Sequence, residues 1–229
     1  MNVETEPHLP EWLLEAPLFH DRFEAGRELA QELEGPGLEA CAVVGLARGG
    51  VQVAAEVARA LGAPLDVVAV RKVGHPWQPE YALGAVTPGD GLYVRSNDGL
   101  SDEEMAAAVE RTRSAAEELD RRLHSKWPPV ELAGRPVVLV DDGLATGATM
   151  IAAVRWARSS GAGETVAAVP VAASDSASLV SGEASRFVCP HTLAGFMAVG
   201  IWYEQFPQVD DDEVVRLLEE AASRRPGPR

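Results

Sequence analysis

Val137-Val138-Leu139-Val140-Asp141-Asp142-Gly143-Leu144-Ala145-Thr146-Gly147-Ala148-Thr149 is the stretch on which the reading of this chain turns. Its first four residues are apolar and mostly β-branched, the pattern of a strand covered on both faces, as in a parallel sheet. Such a strand presents two adjacent carboxylates at its C-terminal end, the edge at which open α/β sheets bind ligands. Alternation along a strand turns Asp141 and Asp142 in different directions. The small, glycine-containing loop that follows exposes backbone N–H groups at the start of a helix expected from about residue 149 to 160. Unpaired donors and the helix dipole attract an anion there, and the Thr146 and Thr149 hydroxyls complete the cradle. Carboxylates suited to hydroxyls, beside an amide-rich loop suited to a phosphate, imply one ligand that carries both groups, a sugar phosphate.

Asp-Asp alone would read as a strand ending in water and capping the next helix. Agreement of the apolar run, two acids, Thr-Gly and a further Thr favours a ligand site over that plain reading. No Gly-Lys-Ser/Thr follows, so this is not a Walker loop, and neither glycine turn reads Gly-x-Gly-x-x-Gly.

Upstream, residues 41–46 form a short apolar run, Ala47-Arg48-Gly49-Gly50 a turn, 51–61 a helix ended by Gly62, and 65–70 another apolar run. Strand, glycine turn, helix and strand make a βαβ unit; residues 137–171 make a second one. The Ala47–Gly50 turn joins a guanidinium to glycines that let a backbone approach a ligand, and Arg71-Lys72 adds two cations at the same sheet edge. The segment from 71 to 91, with three prolines among its residues, predicts an irregular loop long enough to act as a lid. Asp21 with Glu24, Ser101 with Glu104, and Asp210 with Glu213 have capping-box spacing and predict helix starts. The helix after Ser101 carries Met105, Val109, Thr112, Ala116, Leu119 and Leu123 as a narrow seam that packs by one edge, on the sheet or on a second subunit.

The 229 residues, 46% hydrophobic, suffice for one sizeable core. A net charge of −15 disfavours nucleic-acid and anionic-membrane partners, while a local cluster of donors and cations still admits a small anion. Cys41 and Cys189, both in apolar runs, read as core thiols, and with no basic, apolar leader the expectation is a soluble, cytoplasmic protein. Trp77, Phe196, Trp202, Tyr203 and Phe206 are candidates to stack on a base, with Phe196 and Trp202 preferred, although aromatic residues in such segments are more often core. His75, His124 and His191 share no metal-ligand spacing and read as surface or hydrogen-bonded histidines, with His75 in the lid segment the one worth testing.

The 137–149 pattern resembles the diphosphate-sugar signature of the type I phosphoribosyltransferase superfamily, an apolar strand, two acids and a small loop ending Thr-Gly-x-Thr. Ala148 stands where many members have a second glycine, a change that leaves the backbone donors in place. Asp21-Arg22, Ala47-Arg48-Gly49-Gly50-Val51, Val70-Arg71-Lys72 to Gly84-Ala85 and Val199-Gly200-Ile201-Trp202-Tyr203 are similar to landmarks of a bacterial group within it that has no agreed substrate, over about residues 19–218.

The resemblance implies a Rossmann-like α/β fold, a central parallel sheet flanked by helices, with a small hood built from N- and C-terminal segments. It divides the chain into an N-terminal arm (1–20), a phosphoribosyltransferase domain (21–218) and a C-terminal tail (219–229). It implies transfer of the 5-phosphoribosyl group from phosphoribosyl pyrophosphate (PRPP) to a nitrogenous acceptor, with Mg²⁺ and release of pyrophosphate. Asp141 and Asp142 take the ribose hydroxyls and the metal. Ala145, Thr146, Gly147, Ala148 and Thr149 take the 5-phosphate, and Gly49 and Gly50 belong to the pyrophosphate loop. Arg48 and Lys72 neutralise the leaving diphosphate. The acceptor is a small molecule, a nucleobase or related heterocycle of nucleotide metabolism, and the assembly a homodimer. The rival expectation is a PRPP-sensing regulatory domain that keeps the ligand site without transferase activity.

Overall fold

The continuously apolar runs become buried strands of one parallel sheet in the computed structural model, which describes residues 17–34 and 37–224. After a first helix, Arg22–Glu32 (α1), the chain runs through Ala42–Leu46 (β1), Gly50–Leu61 (α2) and Leu65–Val68 (β2). A three-stranded excursion, Arg71–His75 (β3), Gln78–Val86 (β4) and Leu92–Val94 (β5), leads to the long helix Asp102–Leu123 (α3). Pro136–Val140 (β6), Ala148–Ser159 (α4) and Glu164–Ala168 (β7) form the second βαβ unit. Val171–Ala173 (β8), Ser174–Glu183 (α5), Arg186–Val188 (β9), His191–Leu193 (β10) and Asp211–Ser223 (α6) complete the chain.

The main sheet has the order β2-β1-β6-β7-β9, all parallel. Alternation splits β6 between two cores. Val138 and Val140 face α1, α2, α3 and α6 with Leu29, Val53, Leu119 and Leu217. Val137 and Leu139 face α4 and α5 with Met150, Ile151, Val154 and Val180. The connection from β1 runs outward to β2 and the one from β6 outward to β7, so the strand order reverses between β1 and β6. The crevice above their C-terminal ends is the topological switch point, where α/β sheets hold ligands.

The 71–91 segment departs from expectation, because it is no irregular loop. β3 and β4 pair antiparallel around a two-residue turn at Pro76-Trp77, with register shifts around Gly74, and β4 pairs with β5. The turn lacks the Asn-Gly or Asp-Gly signature that marks most two-residue hairpins. Val73, Leu83, Ala85 and Val86 are nonetheless buried, Val73 and Val86 against Ala108 and Val109 of α3, while Trp77 at the tip is 72% exposed.

The hood is a layer above the sheet rim. Leu18 and Phe19 donate backbone N–H groups to Trp202 O, and Phe19 O and His20 O accept from Glu204 N and Gln205 N. Phe19, Val171, Trp202 and Tyr203 form its core. Most of the N-terminal arm (1–16) and the last five residues of the C-terminal tail lie outside the described residues; α6 runs to Ser223. No helix among the described residues is long and apolar enough to cross a membrane.

One buried polar cluster ties α3 to the sheet. Asp66, in the apolar strand β2, accepts from Val67 N (2.9 Å), Val130 N (2.8 Å) and His124 Nε2 (2.9 Å), and His124 Nδ1 lies 3.2 Å from an Asp120 carboxylate oxygen. Burial opposes a charge on His124, yet hydrogen bonds to Asp120 and Asp66, with their charges, raise it from 6.5 to about 10. A folded pKa above the unfolded one stabilises fully below about pH 6.5 and progressively less as pH climbs toward 10. The urea midpoint should therefore fall between pH 7 and pH 10. His124→Ala, which strands the buried Asp66 carboxylate, should cost about 3 kcal/mol at pH 7 and flatten that fall; an unchanged pH profile in the variant would count against the assignment.

Candidate functional site

Two glycine turns meet at the switch point, and steric contact between them defines the site. A Cβ on Gly49 would lie 2.1 Å from an Asp142 carboxylate oxygen, and one on Gly50 would lie 2.6 Å from Val140 O and 2.9 Å from Asp141 Cα. Only glycine lets the β1–α2 turn lie against the end of β6. The Ala47–Arg48 peptide bond in this turn is cis.

Asp141 and Asp142 diverge as strand alternation requires. Asp142 turns toward α1, where Arg22 Nε is 2.8 Å from its Oδ2. Its backbone carbonyl accepts the Tyr203 hydroxyl at 2.6 Å. Asp141 turns toward α4: its Oδ1 accepts Asp142 N at 3.0 Å, and Thr149 Oγ1 stands 3.5 Å from its Oδ2. Burial pushes the Asp141 carboxyl well above the usual carboxylate range and the neighbouring Asp142 charge adds to this; Lys72 and Arg22 oppose it. Burial raises Asp142 too, offset by the charge and hydrogen bond of Arg22 and, more weakly, by Lys72. The pair is thus unequal, with the counter-charge on Asp142.

The 144–149 loop is held from behind. Leu144 pairs with β8 through Leu144 N to Val171 O and Ala173 N to Leu144 O, both 2.9 Å, and Ser176 Oγ donates to Ala145 O at 2.7 Å. Gly147, with φ +78°, turns the chain into α4, leaving Ala145 and Thr146 exposed. The N-termini of α4 and α2, both facing the crevice, have no side-chain cap, whereas Asp21, Ser101 and Asp210 cap α1, α3 and α6. Val51 N and Gln52 N of α2 already donate to Arg48 O and Gly49 O, so it is chiefly the start of α4 that leaves N–H donors open toward the crevice.

A cavity of about 420 Å³ adjoins the crevice, walled by Arg22, Arg48, Gly49, Arg71, Phe206 and Pro207 among others. The Arg71 Nε is buried and has no hydrogen-bond partner among the described residues. Arg48 lines the same cavity, with its Nε 2.6 Å from Asp211 at the start of α6. Lys72 is exposed on β3, its charge reaching both acids. Among the described residues no three His, Cys, Asp or Glu side chains converge as a metal cage.

Sequence reasoning left Arg22 and Ser176 out of the site and offered Tyr203 only as a candidate to stack on a base, whereas its hydroxyl holds the Asp142 carbonyl. Arg22 stood in a recognisable dipeptide, but nothing local signals that a helix some 120 positions earlier supplies the partner of Asp142. The preferred stacking candidate Trp202 is fully buried in the hood core, with Phe196 packed against it, so Trp202 presents no face to a ligand. Phe206 is occupied by Arg22, whose guanidinium carbon lies 3.7 Å from the ring centroid. His75 is buried and accepts from Trp77 N, His191 pairs with Glu28, and both cysteines are free thiols.

Comparison with known proteins gives a consistent result. The family model described as phosphoribosyl transferase domain matches residues 19–198. A Mycobacterium tuberculosis protein named "Putative phosphoribosyl transferase Rv0571c" is 46% identical over 211 residues, covering 89% of this chain and 47% of that protein. The chain therefore spans about half the length of the curated relatives it matches. The crystal structure of TT1426 from Thermus thermophilus is 42% identical and superposes with a TM-score of 0.76, over 88% of this chain and 98% of that one.

The glycine contacts give a test of opposite signs. Gly50→Ala, which drives a methyl into backbone, should lower stability by about 1–3 kcal/mol. Gly182→Ala, in α5 with nothing within 4 Å of its Cβ, should raise stability by about 0.5–1 kcal/mol. Thermal denaturation of the two variants checks both signs.

Proposed function

This chain belongs to the phosphoribosyl transferase domain family, and from that premise we propose that it transfers the 5-phosphoribosyl group of PRPP to a nitrogenous heterocycle, releasing pyrophosphate. One observation supports the reading above all others: two ionisable acids and an uncapped helix N-terminus stand at the sheet's switch point, beside an arginine-walled cavity that Arg22 links to Asp142. Each matches one part of PRPP.

The open amides of 145–149 suit the 5-phosphate, with the Thr146 and Thr149 hydroxyls beside them. Asp142, held by Arg22, accepts a ribose hydroxyl, and Asp141 accepts its neighbour. Arg48, Arg71 and Lys72, with the backbone of Gly49 and Gly50, receive the diphosphate. Arg71 offers a donor that none of the described residues satisfies, and Arg48 would exchange Asp211 for the ligand. As the C1–O bond weakens, the ring gains oxocarbenium character and the departing group gains charge. The acids stabilise the first and the cations the second, so the protein acts by orientation and electrostatics without a covalent nucleophile. In this reading the β3–β4 hairpin closes over the crevice and keeps water from the cationic ring.

Mg²⁺ fits the donor set as an ion shared with substrate. Two adjacent part-buried carboxylates favour a cation, and with no third ligand converging among the described residues, Asp141 and Asp142 would hold it together with substrate oxygens and water. When bound, the ion would neutralise charge developing on the diphosphate. A homodimer with the exposed face of α3 as a contact, and a cytoplasmic setting, belong to the same proposal.

Pyrophosphate release from PRPP, assayed against a panel of nucleobases with Mg²⁺, tests the reading. One base should support turnover. Binding of PRPP without release for any base would replace the transferase with a sensor. Asp142→Asn should lower kcat/KM at least about a hundredfold, as expected for loss of a charge that stabilises the transition state; an unaltered rate would remove Asp142 from the chemistry.

A further inference from the structure

Arg22 lies outside every glycine turn and acid motif, yet it is the side chain most deeply committed to the site. It is 5% exposed, on the first turn of α1. Its Nε bonds Asp142 Oδ2 at 2.8 Å, its Nη1 donates to Pro207 O at 2.8 Å, and its guanidinium stacks on Phe206. A Cβ placed on Gly49 would approach both partners, 2.1 Å from Asp142 Oδ2 and 3.0 Å from Arg22 Nε. Arg22 thus joins four separate pieces: α1, the end of β6, the β1–α2 turn and the segment after the hood.

A planar fork holding two acceptors at once has one orientation, and so does the carboxylate it grips. With Oδ2 engaged by Arg22 and the adjoining carbonyl engaged by Tyr203, Asp142 has a single carboxylate oxygen directed by this fork and left for a ligand. We propose that Arg22 is a positioning residue for sugar recognition, orienting Asp142 so that its remaining oxygen reads one ribose hydroxyl and the site discriminates ribose from deoxyribose phosphates. This rests on the reading of the crevice as a phosphoribosyl site and adds to it the residue that sets sugar specificity. Arg22 itself need not touch the sugar.

The test is calorimetric titration of the full chain with ribose 5-phosphate, 2-deoxyribose 5-phosphate and inorganic phosphate. The native protein should prefer ribose 5-phosphate to its deoxy analogue by about tenfold or more, the value of one hydrogen bond to a charged group. Arg22→Lys retains the buried charge balance, and so the fold, but loses the planar fork. It should cut that preference to about threefold or less while leaving affinity for inorganic phosphate within twofold. Arg22→Met should abolish the preference. Where Arg22→Met fails to fold, Arg22→Lys in an Asp142→Asn background closes the argument: it should match Asp142→Asn alone within twofold, since a residue acting through Asp142 has nothing left to act on. Three results overturn the inference: full discrimination in Arg22→Lys, equal loss for both sugars and phosphate, or additive losses in the double variant. If the native protein binds none of the three ligands, the phosphoribosyl reading itself falls; if it binds all three and only Arg22 proves indifferent, that reading stands and this inference alone fails.

Discussion

Two carboxylates placed side by side at the rim of an apolar sheet repel one another and lose hydration, so they persist only where neighbouring groups compensate both effects. Asp141 and Asp142 meet this constraint asymmetrically. Arg22 neutralises one acid directly, whereas the other relies on a backbone N–H and the more distant charges of Lys72 and Arg22. Much of the architecture around the crevice follows from that arrangement. The β1–α2 turn must be glycine to let Asp142 reach Arg22, the segment at Phe206 and Pro207 must lie over the guanidinium, and Tyr203 must reach the Asp142 carbonyl. The hood is joined to the sheet through the same acid pair expected to meet the ligand.

The capping pattern has the same logic. α1, α3 and α6 each use a side chain on their first turns because nothing else will satisfy those N–H groups. α2 and α4 begin with Gly49 and Gly147 and have no such side chain, and both open into the crevice. The first amides of α4 stay available to an anion, whereas in α2 Val51 N and Gln52 N already donate to Arg48 O and Gly49 O. The stability withheld there reappears elsewhere, in the dense apolar cores on each face of β6 and in the Asp66–His124–Asp120 cluster that anchors α3.

Features encoded by neighbouring residues were legible in the sequence. The four-residue apolar run gave β6 its two covered faces, Ser101 with Glu104 gave α3 its capping box, and the two glycine turns marked both loops at the switch point. The hairpin from β3 to β5 was not legible. Its turn is Pro-Trp, its register slips around Gly74, and its inner residues gain their burial only from α3 and α4. Trp202 was misjudged for a related reason. An aromatic residue near a candidate site reads alike as core or as platform until the strand-like segment at Leu18 and Phe19 folds over it. Arg22 was hidden by distance along the chain, since a residue on the first helix can be paired with an acid after β6 only by knowing the fold.

A chain with a net charge of −15 still builds a cavity walled by three arginines, and the two facts fit together. Charges on the outer surface are screened over about 8 Å in physiological salt, while guanidinium groups at the wall of a part-buried cavity act at contact range in a lower dielectric. The acidic first turn of α6 lies between these regimes: Asp211 bonds Arg48 at 2.6 Å and Arg122 at 3.2 Å. On the proposed reading a diphosphate would compete with that carboxylate for Arg48, whereas the buried Arg71 Nε has no competing partner among the described residues.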